Sequence, residues 1–303
     1  MRLALPTRRR LFIVSAAVIF LAGAAAGVAV YFERFADPRA DRVFETRGCA
    51  GCALADIRLW WADLRGFDFS NADLARARLW WADIRDGNLS GADLHEASFW
   101  WAKLDKIDLS HADLNGARMG HATLRESSLR GAAMKNADLI GANLTRADVR
   151  AADLTWADFR QSILVETDFR KAGLRNANFY LADLKGARFV GADLHQASLV
   201  QANLAGADLR GTVMTGANLN EATLKDADLT GANLSGAQLT NADLTGAILR
   251  DVDLSDANLW KIDLSGADLT DANFTGAAMS EAVLTDVKFC RTRLPAGRDD
   301  SGC

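Results

Sequence analysis

The chain has 303 residues, half of them apolar, with few Pro and only 2 Tyr, so a sizeable core is possible and the bias marks internal repetition. Its net charge of −4 is unevenly spread: residues 1–48 hold eight Arg against four acids, so the remainder carries eight excess negative charges. A mildly acidic body without clustered Lys and Arg excludes a general binder of nucleic-acid backbones.

The first predicted element is a basic N-terminus, residues 1–10, ending in Arg8, Arg9 and Arg10. Leu11 to Phe32 follows without a charged residue. As a helix this stretch reaches ~33 Å, enough to cross a bilayer. The flanking arginines predict a cytoplasmic N-terminus and an exported body. An uncleaved signal anchor is favoured, because the apolar run exceeds a signal-peptide core. A cleaved signal peptide is the alternative, with Ala24-Ala25-Ala26 as the cleavage region and Thr7-Arg8-Arg9-Arg10-Leu11-Phe12 similar to a twin-arginine export signal. Both place the body beyond the cytoplasm, which in a bacterium means the inner membrane and periplasm. Residues 33–48 read as a mixed-charge linker.

From residue 52 the chain counts in fives. Stepping by five from Leu54 to Leu294, every residue is Leu, Phe, Met, Ile or Val. Stepping by five from Cys52 to Val287, most residues are Ala. Ala-Asp-Leu recurs at Ala62-Asp63-Leu64, Ala72-Asp73-Leu74 and Ala92-Asp93-Leu94. A helix would smear a period of five around its surface, and a simple strand needs a period of two. A coil with four equal sides fits: each side buries one large and one small residue, and Asp, Asn and Gly make the corners.

On these residues the sequence resembles the pentapeptide-repeat family, motif A(D/N)LXX, over residues 49–294. The resemblance implies an all-β fold, a right-handed quadrilateral β-helix of 20 residues per coil. About 12 coils at ~4.8 Å would make a rod ~58 Å long. The family includes DNA mimics that bind topoisomerases, so membership alone fixes no function.

If 20 residues make one coil, residues 20 apart share a face. Trp60-Trp61, Trp80-Trp81 and Trp100-Trp101 recur at that spacing, all at outward positions. Their column continues through Tyr180 to Trp260. Six indoles of ~150–250 Å² offer on the order of 1,000 Å². Patches of that size mark interaction sites, and Trp favours membrane–water interfaces. The expected interaction surface is Trp60, Trp61, Trp80, Trp81, Trp100, Trp101, Tyr180 and Trp260. It would dock on a bilayer or a protein, a second copy included; the bland reading is a self-stacking ladder that stiffens the first coils. The opposite face carries Arg130, Arg150, Arg170, Arg210 and Arg250, expected to pair with nearby Asp148, Asp168 and Asp208. Phe159, Phe169, Phe179 and Phe189 alternate between opposite faces and read as core.

Cys49 and Cys52 form a CxxC at the open end of the repeats. A capping disulfide or a buried thiol pair fits it. No helix follows to activate a thiolate, no further ligands complete a zinc site, and Ala53 breaks the haem motif. Similar CxxC caps precede the first repeat in exported relatives. Rod geometry keeps Cys290 from Cys49 and Cys52, leaving Cys303 as its partner within the chain or a link between two molecules. Residues 295–303 read as a flexible tail. His95, His111, His121 and His195 are too dispersed to share a metal. Catalytic motifs are missing, and the recurring Asp residues are turn-formers first. No cofactor, metal or nucleic acid is expected. The sequence therefore predicts a non-enzymatic, membrane-anchored scaffold exposing a Trp-rich surface. A DNA-mimicking topoisomerase binder and a passive spacer are the alternatives.

Overall fold

The computed structural model describes residues 37–303. The basic N-terminus, the apolar segment 11–32 and the start of the linker lie outside them. Among the described residues no helix is long and apolar enough to cross a membrane.

The repeat follows from a complete accounting of backbone donors. Consider residues 92–96. The amide of Ala92 donates across a turn to the Leu89 carbonyl (3.1 Å). That of Asp93 donates back one coil to Ala72 (2.9 Å), while those of Leu94 and Glu96 donate forward one coil to Asp113 (2.7 Å) and Asn115 (2.9 Å). The fifth amide, His95, is taken by the Asp93 side chain (3.2 Å). A buried or crowded amide must find an acceptor, and here the Asx side chain supplies the one that the coil cannot. The same bond recurs from Asp68 to Ser70, Asp73 to Ala75 and Asn88 to Ser90. This is the physical reason for the Asp or Asn that stands before most centres. Asp108, which accepts from the Ser110 amide at 2.9 Å, offers a clean check. Asp108→Asn keeps the acceptor and should leave stability unchanged in urea unfolding, whereas Asp108→Ala should cost about 1 kcal/mol.

Parallel bridges join residues 20 apart, from Gly48↔Asp68 to Asn273↔Arg293. Five-residue steps on a 20-residue circumference give four sides. The centres and small residues point inward and form one continuous core from Ala40 to Ala277. The second turn residue of each pentapeptide has positive φ, as in Gly91 (63°), Glu96 (55°) and Gly116 (65°). Such a turn is type II-like and favours Gly or Asn there. Where Ser or Thr replaces an inward Ala, its hydroxyl finds a carbonyl: Ser162 donates to Phe159 (2.6 Å) and Thr167 to Leu144 (2.8 Å).

Both ends depart from the sequence expectation. The predicted linker contains helix α1, Pro38–Thr46, N-capped by Asp37 and ended by left-handed Arg47. Its Ala40 and Val43 are buried and cover the first coil. Phe44 meets Phe67 edge-on at 6.2 Å. Ala40, Val43 and Phe44, at the i, i+3, i+4 spacing of one helix face, were too few here to stand out from the charges around them. At the other end, the predicted flexible tail is ordered. Strand β1 (Thr292–Leu294) pairs antiparallel with β2 (Gly297–Asp299), and Cys303 is joined to Cys290. The hairpin leaves part of the last coil open, with Val283 and Leu284 exposed. Cys49 and Cys52 are joined beside α1, their Cα atoms 5.4 Å apart.

Candidate docking surface

One side of the first coils is set apart by its aromatic side chains. Trp61, Trp81 and Trp101 occupy the second turn position with φ of 51°, 53° and 59°. A bulky side chain pays about 1 kcal/mol for that conformation, which Gly or Asn would avoid or reduce. Before the centres of this side stand Arg58, Arg78, Ser98 and Arg118, in place of Asp or Asn. Arginine accepts no hydrogen bond. The amides of Trp60, Trp80, Trp100 and Gly120 therefore lack the Asx bond found elsewhere.

The rings form two ladders. Trp60 stacks on Trp80 (centroids 5.5 Å, planes 8° apart), and Trp61 on Trp81 (5.3 Å, 8°). His121 stacks on Trp101 at 4.3 Å. The Trp100 indole lies over Gly120, where an added Cβ would come within 3.2 Å of the ring. Both Trp of each pair point outward, but unequally: Trp60, Trp80 and Trp100 are half-buried, and Trp61, Trp81 and Trp101 are 45–49% exposed. Stacking hides ring faces, so less area is offered than six separate indoles would give. Trp80 Nε1 donates to Ser98 Oγ. Tyr180 and Trp260 are exposed further along the same column. Lys261 sits 4.3 Å over the Trp260 ring, and Trp260 Nε1 donates to Glu281.

The neighbouring charges were missed in the sequence, although the 20-residue phase applied one position before the centres would have found them. Arg78 and Arg118 are exposed beside the Trp ladder, and Lys103 lies across the corner from it. Among the described residues none of these three makes an ion pair. The acids nearest the corner are already answered, Asp63 by Arg65 (2.7 Å) and Asp83 by Arg85 (2.6 Å). Trp156, 61% exposed, was also missed; it stands on a different corner.

The opposite face is the reverse case. Arg150 pairs with Asp148 (2.6 Å), Arg170 with Asp168 (2.6 Å), Arg210 with Asp208 (2.7 Å) and Arg250 with Asp268 (2.7 Å). Arg130, expected to pair as well, makes no ion pair among the described residues; the other four arginines of this face are each answered by a carboxylate. Burial pushes the Asp268 carboxyl up, but bonds from Thr270, Arg250 and Lys288 outweigh burial and hold it at about 2. A folded pKa below the ordinary 3.8 gives stability present above that value and lost as pH falls toward about 2. In urea unfolding at stepped pH, Asp268→Asn should flatten the decline across that window while leaving the neutral-pH bonds from Thr270 in place.

Among the described residues no group of three or more His, Cys, Asp or Glu is placed to hold a metal. His95 bonds Asp93 (2.7 Å), and His121 is engaged with the indoles. The concavities that do occur are shallow. One of about 310 Å³ lies beside α1 and the Cys49–Cys52 pair, and another of about 290 Å³ is lined by alternating charges including Arg85, Asp105 and Arg125.

The pentapeptide-repeat profile matches eight times between residues 52 and 286. HetL from the cyanobacterium Nostoc sp. strain PCC 7120, a pentapeptide repeat protein involved in heterocyst differentiation regulation, is 31% identical over 85% of this chain and 96% of its own, with a TM-score of 0.43. A pentapeptide repeat protein from the thylakoid lumen of Arabidopsis thaliana is 39% identical over 34% of this chain and 69% of its own, TM-score 0.21. QnrB1, a plasmid-mediated fluoroquinolone resistance protein, is 19% identical over 68% of this chain and 92% of its own, TM-score 0.25. No curated protein matches the chain significantly. With its repeats matched across nearly all the described coils, the chain belongs to the pentapeptide-repeat family, whose members form right-handed quadrilateral β-helices and are in general structural or binding proteins rather than enzymes.

Proposed function

We propose that this protein is a non-enzymatic, membrane-anchored scaffold on the exported side of a membrane, and that the Trp face is its docking surface. The observation that carries the reading is the recurrence of six Trp on one side of the first coils, with Trp61, Trp81 and Trp101 45–49% exposed. A large apolar ring left this exposed at a corner reaches outward, where a partner can cover it. Anchoring is supported by the uncharged run 11–32 behind Arg8, Arg9 and Arg10. Two disulfides in the described residues favour an oxidising compartment. A DNA-mimicking topoisomerase binder would need unbroken acidic columns, and the Arg face answers its carboxylates one by one.

The test is photo-crosslinking in intact cells. With p-benzoylphenylalanine in place of Trp101, adducts to protein or lipid are expected. The same replacement at Trp156, on a different corner, should give none. No adduct from position 101, or equal adducts from both, would remove the docking surface.

A further inference from the structure

We infer that the occupant of the Trp face is the surface of an anionic phospholipid bilayer, so that the first coils lie against the membrane instead of projecting from it. The inference rests on the proposed docking role and names its partner. Three observations converge on lipid. The rings are indoles, four of them stacked in two parallel pairs, and the exposed Trp61, Trp81 and Trp101 are the side chain best suited to the headgroup region. The cations beside them, Arg78, Lys103 and Arg118, make no ion pair among the described residues, while the nearest acids are each held by their own arginine. The amides of Trp60, Trp80 and Gly120 lack the Asx acceptor, because Arg58, Arg78 and Arg118 precede those centres. The exposed guanidinium groups of Arg78 and Arg118 are donors that a phosphodiester takes, whereas the Gly120 amide lies beneath the Trp100 ring.

The chain preceding the structure makes bilayer contact the economical choice. Residue 32 ends the uncharged run and residue 37 begins the described part, a separation of five residues that spans no more than ~18 Å. Helix α1 and the first coil follow directly. An anchored chain would hold the Trp ladders within a short distance of the headgroups, at high effective concentration. A protein partner would have to compete with a surface that is always there. Each basic residue near an anionic surface strengthens attachment about fivefold, and the attraction falls off within a Debye length.

The full chain, in a Trp156→Phe/Trp260→Phe background, is reconstituted into vesicles of phosphatidylcholine with brominated acyl chains, with or without phosphatidylglycerol. Emission then reports the Trp face alone. Strong quenching is expected only with phosphatidylglycerol, and it should return to the phosphatidylcholine level in ~1 M salt, where the screening length is about 3 Å. Arg78→Glu/Lys103→Glu/Arg118→Glu should abolish the difference; these side chains are exposed, and circular dichroism verifies that the fold is kept. Quenching that is absent, or equal in both vesicles, overturns the lipid assignment. A protein adduct from position 101 together with absent quenching would overturn the lipid inference while leaving the docking surface standing. No adduct at all would take away both.

Discussion

Phe169→Ala should lower the unfolding free energy by about 3–5 kcal/mol, the usual range for emptying a fully buried phenyl site. Phe169 has no solvent exposure. It stacks on Phe189, one coil away, at 4.9 Å with planes 5° apart, and meets Phe159 and Phe179 edge-on at 5.9 and 6.1 Å. Phe159 and Phe179 form the matching stack from the opposite side, also at 4.9 Å. Four rings thus interlock across the tube, face to face along the axis and edge to face across it. Both arrangements suit the ring quadrupole and add about 0.5–1.5 kcal/mol beyond burial. A solenoid passes stability only between neighbouring coils, so a hole here weakens the link between the two halves. Urea unfolding should therefore shift to lower midpoint and broaden, and amides near residues 159–189 should lose hydrogen-exchange protection first. Phe169→Ala/Phe189→Ala should fall short of the sum of the single changes by about 0.5–1.5 kcal/mol. A loss below about 1 kcal/mol for the single variant would show that neighbouring Leu centres close the gap.

The same stack shows what a sequence can reveal about this fold. A strict register turns position into place: once Leu54 starts the count, the inward or outward setting of Phe169, Asp108 and Trp80 follows by arithmetic, because parallel bridging repeats every 20 residues without interruption. The Arg150–Asp148 and Arg170–Asp168 pairs followed from the same map. Where the register stops, so did the map. Helix α1 depends on the Asp37 cap, Pro38 and contacts of Val43 with a coil end; its apolar Ala40, Val43 and Phe44 do share one face, but nine residues are too few for that pattern to stand out. The hairpin β1–β2 lacks the usual two-residue Gly turn and owes its order to the Cys290–Cys303 bond and the Thr292 hydroxyl on the Leu269 carbonyl (2.8 Å). At the Trp face the rings were visible in the sequence, but their backbone conformation was not. Motif spacing says which residue sits at a corner, and only coordinates say that the corner demands positive φ.

That conformation separates a docking surface from a stiffening ladder by stability alone. Trp80 and Trp81 are adjacent, and each stacks on its counterpart one coil earlier at nearly the same distance. If the ladders exist for rigidity, replacing either by Gly should be comparably harmful. The backbone predicts otherwise. At Trp81, with φ of 53°, Gly relieves about 1 kcal/mol of left-handed strain. The relief offsets most of the lost stacking, about 0.5–1.5 kcal/mol, and part of glycine's greater freedom in the unfolded chain. Trp81→Gly should thus cost about 1 kcal/mol or less. Trp80 has no positive φ, is half-buried and bonds Ser98 through its indole nitrogen. Its removal loses the stack, the covered ring area and that bond with nothing in return, about 3 kcal/mol. The gap of roughly 2 kcal/mol is measurable as a shift in urea midpoint at unchanged slope. Trp81→Gly should also weaken vesicle quenching, although it barely changes stability. Equal destabilisation by the two substitutions would return Trp81 to the core's account and leave the exposed ring without a separate purpose.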